Sequence, residues 1–334
     1  MEKMFKRSVL GAAVALAAVA GSANAAIELA GENVVLYGQA AGAIIATDPQ
    51  GEGKDGVIAT DIESRFGFRG RVEFDNFAPD FVWQMEAGNA NSDGGSLGQR
   101  DTYLGFDFDG VGSFKYGRQL VAAYNYVDWP HTNPGLGDVF DNTWGAGNDT
   151  GASFEGRANN VLRFDSASFS GFNFQATLSG MGSTTDALVT SVAGSYSQSL
   201  FSVHAGYYSQ DKYKADGVDA GDASYYIVGG SVFLGDLTVT AGYKKQDNGL
   251  TNVDQATYSF TAAYNVADNV FVKAGYAKAA ETTGQDNDDV AMTARVGYLL
   301  PSAVLYFDVR DYDVDGATKT DDVTKFIFGT EYYF

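Results

Sequence analysis

Residues 258–266 read Tyr258-Ser259-Phe260-Thr261-Ala262-Ala263-Tyr264-Asn265-Val266, and this stretch decides the fold. Tyr258, Phe260, Ala262, Tyr264 and Val266 fall on one face, and Ser259, Thr261, Ala263 and Asn265 on the other. A period of two marks a β-strand with one apolar and one polar side, whereas an amphipathic helix repeats every ~3.6 residues. The pattern recurs on both sides. Leu237, Val239, Ala241 and Tyr243 alternate with Thr238, Thr240, Gly242 and Lys244; Phe172, Phe174, Ala176 and Leu178 alternate with Asn173, Gln175, Thr177 and Ser179. Val270, Val272, Ala274 and Tyr276 share a face opposite Lys273 and Gly275. The 41 Gly, 20 Tyr and 23 Phe residues are what strands and turns favour.

The connectors alternate as well. Short turns at 75–79, 109–112, 234–236, 267–269 and 300–302 are separated by long acidic or Gly-rich links at 47–60, 89–99, 121–154, 211–222, 246–255, 281–288 and 313–322. Sixteen strands result, starting near Asn33, Thr60, Asp80, Arg100, Ser113, Glu155, Phe172, Val189, Phe201, Ala223, Leu237, Ala256, Val270, Asp289, Ala303 and Val323. An even number of antiparallel strands closes with no unpaired edge in lipid, and short turns on one rim with long loops on the other describe an outer-membrane barrel. The expected fold is therefore an all-β, 16-stranded antiparallel transmembrane β-barrel with short periplasmic turns and long extracellular loops. A soluble β-sandwich accounts for the alternation but not for the rim asymmetry or the export leader.

That leader occupies residues 1–25. Lys3, Lys6 and Arg7 precede an apolar run from Val9 to Ala20, and Ala23-Asn24-Ala25 forms a signal-peptidase site, so cleavage is expected between Ala25 and Ala26. The run is shorter than the ~20 residues a membrane-spanning helix needs. The barrel is expected over 26–334. Losing three of the 22 basic and one of the 42 acidic residues leaves the mature chain at a formal −22. Such a balance excludes a nucleic-acid partner, since phosphate binding needs a basic surface. The absence of cysteine excludes disulfides, thiolate nucleophiles and Cys-ligated zinc.

Phe326, Phe328, Thr330, Tyr332 and Phe334 hold alternate positions to the last residue, as a closing strand at a membrane rim would. Phe328, Tyr332 and Phe334 resemble the C-terminal signature read by the barrel-assembly machinery. Over nearly the whole mature chain the sequence resembles the general Gram-negative porins. The resemblance is carried by Val35-Leu36-Tyr37-Gly38-Gln39, by Glu63-Ser64-Arg65-Phe66-Gly67-Phe68-Arg69-Gly70, and by Gln99-Arg100-Asp101-Thr102-Tyr103-Leu104-Gly105-Phe106. Gly112-Ser113-Phe114-Lys115-Tyr116-Gly117-Arg118-Gln119 and the terminal Tyr-Tyr-Phe complete the order. It implies a homotrimer whose third long loop, here 121–154, folds inward to narrow the pore. It also implies contact with outer-membrane lipid and lipopolysaccharide, bridged by divalent cations, and small hydrophilic solutes and ions as cargo. No cofactor is implied.

Strand parity sets Arg65, Arg69 and Arg71 opposite in phase to Phe66, Phe68, Val72 and Phe74. Arginine facing lipid near the midplane costs about 2–4 kcal/mol, so the arginine face is the lumen. Arg100, Arg118, Arg157 and Arg163 extend the set. In the family, basic residues on strands two, four and six form one wall of the constriction, and Arg65, Arg100 and Arg157 match them. Gln39 stands where a first-strand lysine is common. The opposing acids are expected from the long loop: Asp128, Asp138 or Asp141. Pro134-Gly135-Leu136-Gly137-Asp138 stands where many members carry Pro-Glu-Phe-Gly-Gly, so the usual glutamate is Gly135 here. Opposed acids and arginines would set a transverse field across a narrow aqueous path. The acid excess favours weak cation selectivity.

Asp311-x-Asp313-x-Asp315-Gly316 with Asp322 matches the spacing of a calcium loop, with Asp at the last position instead of Glu; an acidic surface loop is the plainer reading. The two histidines, His131 and His204, come with no Gly-x-Ser-x-Gly or His-Glu-x-x-His pattern, so no enzyme is expected. Two functions remain: a passive diffusion channel, with a solute-specific porin as its subclass, and a structural or adhesive surface barrel.

Overall fold

The computed structural model describes residues 26–334, apart from 51–54, 91–94, 142–148, 183, 216–217, 283–286 and 315–321. The leader, with Ala25 on one side of the expected cleavage, lies outside the described residues; Ala26 is the first within them.

In chain order the strands are β1 (Ile27–Glu28), β2 (Val35–Pro49), β3 (Val57–Ile62), β4 (Arg65–Phe74), β5 (Phe77–Ala87), β6 (Leu97–Phe108), β7 (Gly112–Leu120), β8 (Arg157–Ser166) and β9 (Phe172–Ser179). They continue as β10 (Leu188–Ser197), β11 (Phe201–Ala215), β12 (Val218–Leu234), β13 (Leu237–Asn248), β14 (Val253–Ala267), β15 (Val270–Ala279), β16 (Asp289–Leu300), β17 (Ala303–Val314) and β18 (Val323–Tyr333). Eighteen segments make a sixteen-stranded wall, for two reasons. β3 and β4 are one wall strand in two pieces, since both pair with β2: Gly42↔Ile62 to Thr47↔Val57 above, Val35↔Arg69 to Gln39↔Arg65 below. At the break, Ser64 Oγ bonds the backbone of Ala41 in both directions. β1 is a two-residue stub that continues the line of β18. Phe334 and Gly38 exchange backbone hydrogen bonds (2.6 and 3.0 Å), and Glu28 and Ile27 then take up the pairing at Val35 and Leu36. Wall neighbours are antiparallel throughout, and β18 closes on β2 with Phe328 opposite Ile44.

Burial runs inside out. On β14 the polar Gln255, Thr257, Ser259 and Thr261 are buried, whereas Tyr258 and Phe260 are about half exposed (47% and 50%). On β16, Asp289, Thr293 and Arg295 are buried while Met292, Val296 and Tyr298 are exposed. No water-soluble sheet gains from this arrangement. In a bilayer it turns the apolar face to lipid and the polar face to the lumen. The short turns fit their sequence: at Leu234-Gly235-Asp236, Gly235 adopts φ +68, a left-handed conformation that glycine reaches without steric cost.

The chain's apolar core comes from the segment between β7 and β8, not from one sheet packing on another. Two short helices, α1 (Tyr124–Asp128) and α2 (Gly137–Phe140), lie in this segment. Its Val121, Val127, Leu136, Val139 and Phe140 cluster with Tyr208, Tyr225 and Ile227 on the inner faces of β11 and β12. The third loop is therefore folded into the barrel. Two of the long links expected from sequence are largely strand: β11 and β12 run on to Ala215 and from Val218, and β13 and β14 are joined by four residues. The paired strands continue here into the acidic stretches, whose weak alternation hid them.

Candidate functional site in the lumen

β4 to β8 carry a lattice of basic and acidic side chains. Glu86 on β5 is its hub. It accepts from Arg100 Nε at 2.5 Å and from Tyr37 OH at 2.8 Å, with Arg65 Nε at 3.7 Å. Arg65 also donates to Asn89 Oδ1 (3.0 Å), Arg157 Nε donates to Asp101 Oδ1 (2.7 Å), and Arg69 lies over the Tyr37 ring at 4.9 Å. Further toward the periplasmic turns, Arg71 bridges Asp80 and Asp107, and Lys115 and Arg163 share Asp165. Alternation delivers most of these residues inward and cross-strand neighbours complete the pairs; Arg100 and Asp101 are adjacent on β6, beside the register shift between Met85 and Ala87.

Of the three loop acids, Asp128 faces this lattice. It sits at the end of α1 and water reaches it, yet the surrounding protein removes enough hydration to push its carboxyl up; Asp141 adds to the rise, and Arg157, Arg100 and Arg65 oppose it. Asp141 is buried, accepts from Tyr124 OH at 2.5 Å, and its carbonyl takes Lys244 Nζ from β13. Asp138 is exposed in the first turn of α2. Arg118 is placed differently within its strand. It stands opposite Thr102 on the face that carries Phe114 and Tyr116, and donates to Gln99 O (2.6 Å) and Asn159 Oδ1 (3.0 Å). Its even position in β7 turns it outward near the extracellular rim, where an arginine costs little.

The opposite wall, β11 to β17, holds the loop. Ser259 Oγ donates to His131 O (2.8 Å), Thr257 Oγ1 to Phe140 O (3.2 Å), Tyr312 OH to Gly135 O (2.7 Å) and Lys273 Nζ to Asn133 Oδ1 (3.3 Å). Gly135 has φ +63, and a Cβ there would meet Arg310 Cδ at 2.4 Å, so this loop accommodates no glutamate in that conformation. Below the loop, Asp308 is fully buried. It accepts from Arg295 (2.6 and 2.8 Å) and from Arg310 (3.0 and 2.6 Å). Sequence reading missed this wall. Lys244, Lys273, Arg295 and Arg310 do share the lumenal parity, and that signal was there to be used.

Only part of the calcium-like motif lies within the described residues. Asp311 Oδ1 accepts from Gln50 and Thr324, Asp322 Oδ1 accepts from Val314 N, and Asp315 lies outside the described residues. Among the described residues no group of three or more His, Cys, Asp or Glu side chains could hold a metal. At the terminus, Phe328 and Tyr332 are exposed on the lipid face, and the Tyr332 and Phe334 rings stack at 6.3 Å.

A closed sixteen-stranded barrel with an apolar outside, a charged interior and an inward third loop defines an outer-membrane channel. The chain belongs to the Gram-negative porin family, whose model matches residues 12–317. It is similar to the chitoporin of Vibrio furnissii, with 41% identity over 190 residues; that match covers 53% of this chain and 49% of the chitoporin. It is also similar to outer membrane porin F of Escherichia coli K12, at 26% identity over 99% of this chain and 90% of that one. Among solved structures, an anion-selective porin from Comamonas acidovorans superimposes with a TM-score of 0.74 at 16% identity, covering 90% of this chain and 99% of that one. That last likeness concerns the fold. The protein resides in the outer membrane and is a diffusion channel of the porin class.

Proposed function

We propose that the channel passes small hydrophilic solutes and ions down their gradients. In this reading its narrowest section lies between the arginines of β4, β6 and β8 and the loop over 121–154. The reading is supported by Asp128, exposed at the end of the inward α1, on whose carboxyl the charges of Arg157, Arg100 and Arg65 act. A transverse field of this kind orients dipolar solutes and resists apolar ones, because the strongest local interactions act where water is scarcest. The charges nearly balance: Arg65, Arg69, Arg100 and Arg157 against Glu86, Asp101 and Asp128. Net selectivity then falls to the acidic mouth and is weakly cationic. The working form is a homotrimer, assembled through the barrel-assembly machinery by way of the aromatic terminus and set among lipopolysaccharide. Single-channel recording in planar bilayers tests the reading. Stepwise ohmic conductance is expected, and folded trimer without steps would favour the adhesive barrel instead.

A solute-specific variant of this reading has its own support. The likeness to chitoporin points to a chitin-derived oligosaccharide, and Trp129 follows Asp128 directly with its ring 5.7 Å from Lys273 Nζ. An aromatic face beside polar groups is what a sugar ring stacks on. Concentration-dependent block of ion current by chitin oligosaccharides, but not by maltose oligosaccharides, would establish it.

A further inference from the structure

The chain has two histidines, and the fold brings them together across 73 residues of sequence. His131, from the inward loop between α1 and α2, and His204, from β11, place their Nε2 atoms 2.8 Å apart. Both are buried. Tyr126 stacks flat on His204, with ring centroids 4.6 Å apart and planes at 8°, and Phe140 tilts against His131 at 5.1 Å. The seat is cut for this ring. A Cβ on Gly229 of β12 would lie 2.5 Å from His131 Nε2, and one on Gly242 of β13 would lie 2.6 Å from Cε1 and Nδ1. The joint thus ties the loop to three consecutive strands at once.

We propose that the His131–His204 hydrogen bond is the positioning joint that seats the inward loop against the β11–β15 wall, keeps the water path open beside it, and is released by acid. The proposal rests on the channel reading above. One imidazole must donate and the other accept, so the bond is lost once both rings are charged, and even a single charge is disfavoured in so buried a seat. Burial, with His204 and then Lys273 adding to it, pulls the His131 imidazole down to about 3. In water a histidine has a pKa of about 6.5. The seated loop is therefore fully favoured above that value and loses ground as pH falls from about 6.5 to 3; at pH 5 linkage weakens seating by roughly 30-fold.

The groups around the pair do not cancel this. Lys273 from β15 adds repulsion, and Lys244 from β13 is engaged with the Asp141 carbonyl. β11 and β12 contribute Tyr208 and Tyr225, and β14 contributes Ser259 and Thr257. The loop's own acids, Asp128, Asp138 and Asp141, remain. An unseated loop has only the water path to enter, so release narrows it.

The test compares the folded wild-type protein with His204→Ala and with Gly242→Ala in planar bilayers from pH 7 to pH 5, folding being checked by heat-modifiable gel mobility. The wild type is expected to conduct quietly at pH 7, and to lose conductance and flicker toward closure at pH 5. His204→Ala should flicker already at pH 7 and lose the change between pH 7 and 5. Gly242→Ala, which keeps both histidines but fills the seat, should flicker at pH 7 too. A quiet His204→Ala channel with the wild-type pH profile would overturn the proposal, as would a wild type that is flat over this range. Folded wild-type protein that never conducts would overturn the channel reading, and the proposal with it.

Discussion

The arginine wall (β4–β8) and the loop-bearing wall (β11–β17) are made of the same alternating strands but treat their charges differently. On the arginine wall the pairs beside the loop keep some contact with lumenal water: Arg65 and Arg100 share Glu86, and the two arginine side chains stay about a quarter exposed (25% each). On the loop-bearing wall the central charges are sealed. Asp308 is 0% exposed between two arginines, and Lys244 is buried on a backbone carbonyl. Water-facing pairs contribute little to stability but leave their field in the path of a solute. Sealed pairs have little field to offer a solute and strong consequences if broken. One wall is built to act on what passes, the other to hold the loop still.

The largest effect is expected at the seam where β18 closes on β2. Deleting Phe334 removes the two backbone bonds to Gly38 and the stacking on Tyr332. Folded barrel in membrane fractions from a low-expression strain, read by heat-modifiable mobility, should drop several-fold. Undiminished folded protein would mean the seam closes without its last residue.

The contrast between the walls is tested directly by one acid from each. Asp308→Leu strands Arg295 and Arg310 without their shared carboxylate. Breaking a buried pair costs about 3–5 kcal/mol, and the lower end applies beside an aqueous lumen. The temperature at which the folded form is lost on gels should fall clearly. Glu86→Gln loosens Arg65 and Arg100 where the arginine side chains stay 25% and the carboxylate 13% exposed, so the loss should be smaller than for the sealed Asp308. That temperature should fall less, while the reversal potential in a KCl gradient shifts toward anions. Equal thermal losses in the two variants would erase the distinction.

How much of this was legible in the sequence follows from what alternation records. It records which face each residue takes, so the sixteen wall strands, the inward phase of Arg65 and Arg69 and the lipid-facing Phe328 and Tyr332 all follow from it. It does not record depth or partners. Nothing local in β11 says that His204 will meet His131, because their contact depends on where a loop 73 residues away is laid down. Gly135 had a different kind of opacity. Read alone it is a missing glutamate; beside Arg310, with φ +63, it is a residue the site requires. Arg118 was grouped with the lumenal arginines, yet its phase within β7 matches Phe114 and Tyr116.

The smallest effects separate the loop acids, and they concern charge alone. Asp128 feels the charges of Arg157, Arg100 and Arg65, so Asp128→Asn should move the reversal potential toward anions even at physiological salt. Because its carboxyl is pushed up, Asp128 protonates before an ordinary aspartate as pH falls, and the cation preference should fade ahead of the exposed acids. Asp138 is exposed in the first turn of α2 and acts on Tyr312 of the loop-bearing wall. Its field reaches only about 8 Å at physiological ionic strength but about 30 Å at 0.01 M. Asp138→Asn should therefore be silent at physiological salt and produce a small anionward shift at low salt. The same screening predicts that wild-type cation preference rises as salt is diluted, since acids around the mouth then act together. If the wild type is instead anion-selective at low salt, the arginine wall outweighs the mouth, and the field at the narrowest section is set by Arg65, Arg100 and Arg157 alone.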